Sequence, residues 1–174
     1  SEMDELVDRA RRIVEESRRL LEEVVKRSKD LVKDVKKKLE DALRRVEEIV
    51  RRLDEELKGG ADEERVKKII RDLKELLKKL REEVAKVIRD NERLLRELDE
   101  RSRKTLKELE DLLRSLKDNE EVKDEVRKLI EEDKKVLDDV RRKSERTLRE
   151  VEDVLRRVEE EVEKLLRKVE ESAK

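Results

Sequence analysis

The sequence predicts an all-α fold, an antiparallel up-down-up three-helix bundle of long, nearly straight helices. Three observations predict it. Apolar pairs recur every 18 residues through three long segments, only two places carry helix-stopping signals, and the residues between them are mostly strong helix formers. Eighteen residues over five turns is 3.6 per turn, the pitch of an unstrained α-helix. A heptad repeat would impose left-handed supercoiling and an 11-residue repeat right-handed supercoiling. The spacing here lies between the two, so helices built on it pack side by side with little coiling.

The first helix is expected over about residues 3–57. Leu6-Val7, Val24-Val25 and Ala42-Leu43 hold the repeat there, as do Ile13-Val14, Leu31-Val32 and Ile49-Val50. Lys58-Gly59-Gly60-Ala61-Asp62 ends it. A glycine in the left-handed conformation closes a helix, and Asp62 is a natural N-cap with Glu63 and Glu64 in the next first turn. The second helix, about 62–117, repeats Ile69-Ile70, Val87-Ile88 and Thr105-Leu106, with Leu76-Leu77, Leu94-Leu95 and Leu112-Leu113.

The second stop, Lys117-Asp118-Asn119-Glu120-Glu121, lacks Gly and Pro. Asp118 with Glu121 resembles a capping box, and Asn119 suits a left-handed turn residue. The apolar rhythm breaks there too: Leu116 is followed by Val122, six residues on where helix phase expects seven. The expected feature is a tight turn, and the alternative is one uninterrupted helix from Asp62 onward. The third helix, about 119–172, repeats Leu129-Ile130, Thr147-Leu148 and Leu165-Leu166, with Val136-Leu137 and Val154-Leu155.

Each helix has about 55 residues, hence a length of about 80 Å. Equal lengths and short connections imply antiparallel neighbours within a single domain spanning 1–174. The apolar stripes are narrow, which suits a three-helix seam. Acid-before-base pairs such as Glu22/Lys26, Glu48/Arg52, Glu64/Lys68 and Asp153/Arg157 support the outer faces, each by about 0.2–0.5 kcal/mol.

Composition removes most function classes. Of 174 residues, 59% are charged, and there is no aromatic residue, His, Cys or Pro. Such charge with low hydrophobicity ordinarily means disorder, but the apolar residues here keep helical phase throughout. The 51 basic and 52 acidic residues leave a net charge of -1, which gives no steering toward nucleic acid or an acidic membrane. The short basic runs Lys36-Lys37-Lys38, Lys78-Lys79 and Arg141-Arg142-Lys143 are interleaved with acids and have no aromatic for base stacking. The acidic start Ser1-Glu2-Met3-Asp4 is unlike a signal peptide, and no apolar run exceeds two residues, so no membrane span is expected. The expected protein is soluble, with no natural location, and cytoplasmic only when expressed recombinantly.

Catalytic signals are absent. Without His, Cys or Tyr there is no ordinary acid–base relay or activated nucleophile, and no His- or Cys-built metal site. No phosphate or calcium loop occurs. The expectation is a non-enzyme with no cofactor, metal or small-molecule substrate.

The repeat exposes eight polar residues in otherwise apolar positions: Ser17, Ser28, Asn91, Ser102, Thr105, Asp133, Ser144 and Thr147. Ser17 stands where the repeat elsewhere has Val35 and Leu53, Asn91 where it has Leu73 and Leu109, and Asp133 where it has Val151 and Val169. When the chain is folded at its two stops, facing residue numbers total about 119 in the first hairpin and about 238 in the second. The eight then fall into two cross-sections, Ser17/Ser102/Thr105/Asp133 and Ser28/Asn91/Ser144/Thr147, each drawing on all three helices. A buried polar group penalises every register that leaves it unpaired, by roughly 1–3 kcal/mol. The competing expectation for Ser and Thr is a bond to the preceding turn of their own helix. Asn91 and Asp133 cannot satisfy themselves in that way. A buried carboxylate needs donors or a cation, and Ser17, Ser102 and Thr105 are the hydroxyls placed to supply them. Asp133 is thus read as an acceptor in a network, or alternatively as a pH-sensitive or ligand-binding acid.

Repeat, polar cross-sections, Glu/Lys/Arg/Asp surface and Gly59-Gly60 loop together resemble de novo designed, parametrically generated helical bundles with buried hydrogen-bond networks. The resemblance covers the whole chain, though Asp133 departs from the usual neutral network members. It implies a stable synthetic scaffold without evolved activity, monomeric and inert. The alternative is a designed interaction module that pairs with another helix or with its own copy to complete a larger bundle. Spectrin-type repeats, a natural counterpart, have helices about half as long and a core Trp, which this chain lacks.

Overall fold

Unbroken apolar phase and strong helix formers carry the chain through three helices. The computed structural model describes residues 2–60, 62–116 and 119–172. The helices are α1, Glu2–Lys58, α2, Glu63–Ser115, and α3, Glu120–Ser172, and the fold is an all-α, up-down-up three-helix bundle. α2 stops at Ser115, so the alternative of one helix running from Asp62 onward is excluded.

The two connections are closed by local chemistry. At the first, the Gly59 N–H donates to the Glu55 and Glu56 carbonyls at 3.3 and 3.1 Å, which satisfies groups that a helix end would otherwise orphan. Gly60 takes φ 81°, a conformation that costs other residues about 1–2 kcal/mol. Asp62 then caps α2: its Oδ1 accepts the Glu64 N–H at 3.2 Å and its carbonyl accepts the Val66 N–H at 3.1 Å.

At the second connection the structure corrects the sequence reading. Asn119 takes the capping role assigned to Asp118. Its Oδ1 accepts the Val122 N–H at 3.3 Å and its carbonyl accepts the Lys123 N–H at 3.1 Å. Asp118 lies outside the described residues, as does Lys117. The physical reason is that Asn is as good an N-cap as Asp, and one residue later it meets the third N–H of α3 directly. Asn119→Ala is expected to lower stability by about 0.5–2 kcal/mol, read from the guanidinium unfolding midpoint.

The chain divides into two compact units that share the three helices. The first comprises Ser1–Asp30 and Asp90–Arg146. Within it Arg11 pairs with Glu125 and Arg18 with Glu132, both at a separation of 114 residues, so α1 and α3 run parallel there. Asp99 pairs with Arg141, which holds α2 against α3. Its core forms two apolar clusters. One gathers Ala10, Val14, Leu109, Leu112, Leu116 and Val126, and the other Leu21, Val24, Leu98 and Val140.

The second unit comprises Leu31–Arg89 and Thr147–Lys174. One continuous apolar cluster fills it, including Leu39, Val46, Leu53, Leu73, Val84, Val151, Val158 and Leu165. Lys36–Glu150, Lys38–Glu83, Arg81–Glu159 and Asp54–Lys168 cross its seams at 3.3–3.8 Å. These side chains are partly or largely exposed, so each pair contributes little, about 0–1 kcal/mol.

The apolar pairs explain how a narrow stripe serves two neighbours. One member is buried and the other half-buried in Ile13-Val14, Val24-Val25, Leu31-Val32 and Ala42-Leu43. The buried member lies within the core and the other at its margin. Each fully buried Leu or Val contributes about 1.5–3 kcal/mol relative to exposure.

Candidate functional site

The only places where the described core departs from aliphatic packing are polar, and all of the buried polar residues lie in the first unit. Ser17, Ser28, Asn91, Ser102, Asp133 and Ser144 are buried. Each helix contributes two of them, and in each helix the two are 11 residues apart. Three turns of α-helix take about 10.8 residues, so both members of a pair project from one face.

The Ser17 layer lies between the two apolar clusters of the unit. The Ser17 hydroxyl on α1 donates to Asp133 Oδ1 on α3 at 2.8 Å. Asp133 is 1% exposed, and its Oδ2 has no hydrogen-bond partner among the described residues. Ser102, on α2, is buried as well, between Leu98 of one apolar cluster and Leu109 of the other. Thr105 does not join it as a donor to Asp133. Its hydroxyl donates to the Arg101 carbonyl one turn earlier at 3.0 Å, and the residue is half-buried. A helical Thr always has that carbonyl within reach, so the intrahelical bond forms without any partner helix. Thr105→Val, matching Val87 in the repeat, is therefore expected to change stability by less than about 0.5 kcal/mol.

The Ser28 layer closes the unit on the other side of the Leu21 cluster. The Ser28 hydroxyl donates to Asn91 Oδ1 at 2.5 Å, and Asn91 Nδ2 donates to the Ser144 hydroxyl at 2.7 Å. The three helices are thus joined in one direction, Ser28 to Asn91 to Ser144. The Asn91 amide is the hub because it offers an acceptor and donors on one rigid plane. It is 1% exposed. Thr147, expected in this cross-section, is half-buried and belongs to the second unit.

This arrangement can hold helices in register. Among the described residues no group of three or more Asp and Glu side chains is placed to hold a metal ion. An open groove between α1 and α3 in the first unit is lined by Asp4, Asp8, Arg11, Asp124, Glu125 and Lys128 over Val7 and Val122, a solvated charged surface with no enclosed chemistry. No described helix is long and apolar enough to cross a membrane.

No protein-family model and no curated protein matches the chain. A solved structure described as a "Computationally designed three helix bundle" is similar to it, with a TM-score of 0.57 and 22% identity over 98% of this chain and 88% of that one. The likeness is one of fold: three helices in the same arrangement.

Proposed function

We propose that this protein is a synthetic structural scaffold without evolved biochemical activity, its fold specified by an apolar 18-residue repeat and two buried polar layers. The observation that carries the reading is the surface. Among the described residues no large hydrophobic side chain is exposed, so the described helices present no apolar face for a further helix to cover. The similarity to a designed three-helix bundle supports a designed origin. The polar layers supply what a uniform aliphatic core lacks, a penalty for sliding or mispairing.

A second reading, an interaction module that pairs with another helix or a second copy, draws on the same layers, because buried polar groups also select partners. Light scattering over a wide concentration range separates the two. The scaffold gives the mass of one chain throughout. A mass of two chains or more that grows with concentration would favour the interaction module.

A further inference from the structure

The geometry points to an internal water-binding site in the Ser17 layer, one water molecule held between Asp133 Oδ2 and the Ser102 hydroxyl. The first support is a count of protons. The layer and its rim carry three hydroxyl donors. The Ser17 proton is spent on Asp133 Oδ1 and the Thr105 proton on the Arg101 carbonyl. The Ser102 proton is used by neither bond. Asp133 Oδ2 accepts nothing from the described residues although the side chain is 1% exposed. Each oxygen of a carboxyl group has lone pairs to satisfy, and leaving one oxygen bare in the interior is costly.

The second support is space. The repeat fills equivalent positions with Val35 or Leu53, Val84, and Val151 or Val169. Ser17, Ser102 and Asp133 together are smaller than such a set by roughly one to two non-hydrogen atoms, about the size of one water. Aliphatic clusters lie on either side of the layer, and packed side chains of that kind set the distance between helices. The shortfall therefore stays within the layer, beside an acceptor and an uncommitted hydroxyl. A buried water needs such partners, and ordered waters of this kind satisfy polar groups that the protein leaves unpaired.

Water relaxation dispersion on the whole protein tests the site. The parent is expected to show a water that resides longer than the tumbling time of the molecule. Asp133→Val should abolish that contribution, and Ser102→Ala should reduce it. Asn91→Leu, in the other layer, should leave it intact. A parent without such a water would overturn the proposal. An equal signal in the parent and Asp133→Val, or its loss in Asn91→Leu, would overturn it as well, by placing the water elsewhere.

Discussion

Asp133→Val is expected to make the protein more stable than its parent, by about 1–4 kcal/mol. The carboxylate is 1% exposed and has one described protein donor, Ser17, while its second oxygen has none. Desolvating a carboxylate costs several kcal/mol, and the Ser17 bond of about 1.5–3 kcal/mol, even joined by a bond to the internal water proposed above, does not offset that. Valine occupies the equivalent positions at Val151 and Val169, where it is buried, so the backbone there already accepts that shape. Ser17 is not stranded by the change, because its hydroxyl can turn to the carbonyl of Ile13 in its own helix. Asp133→Asn should fall between parent and valine, since the amide removes the charge and adds donors. Guanidinium unfolding at neutral pH measures the series. A midpoint lowered in Asp133→Val would show that the carboxylate is fully compensated in the folded protein.

The opposite sign is expected in the other layer. Asn91→Ala removes both bonds of the hub, from Ser28 and to Ser144, and leaves a gap at a position 1% exposed. Lost bonds and unfilled volume together should cost about 2–4 kcal/mol. Asn91→Leu restores the volume and matches Leu73 and Leu109, so it should recover most or all of that loss. The difference between alanine and leucine measures packing, and the difference between leucine and asparagine measures the polar bonds. An alanine variant within about 0.5 kcal/mol of the parent would mean that the layer adds nothing to stability.

The helices are legible in the sequence because an apolar phase with the pitch of the α-helix admits no other regular structure. The second turn is legible from the phase slip between Leu116 and Val122. Its cap is harder, because Asp118 and Asn119 are neighbours of equal capping strength and only geometry decides which one meets an orphan N–H. A signal was present nonetheless: Asn119-Glu120-Glu121 has the same form as Asp62-Glu63-Glu64, and both Asn119 and Asp62 accept an N–H from the turn they begin. Thr105 was illegible for a different reason. Its hydroxyl has a choice between a neighbouring helix and its own backbone, and sequence position does not set that balance. Asn91 has no such choice, so its inward position implies a partner across a seam, which Ser28 and Ser144 supply.

The equal three-turn interval between polar residues on each helix has a consequence for misfolding. If α1 were displaced by that interval, Ser28 would come level with Asp133 and Ser102, and a hydroxyl–carboxylate bond could form again. One tooth of the ratchet would still engage. Asn91 would lose its hydroxyl donor on α1, since no serine stands a further three turns along to replace Ser28. With only two notches on each helix, a slip of one interval always leaves a buried polar group without its mate, and that loss lets the chain tell its proper alignment from the nearest counterfeit.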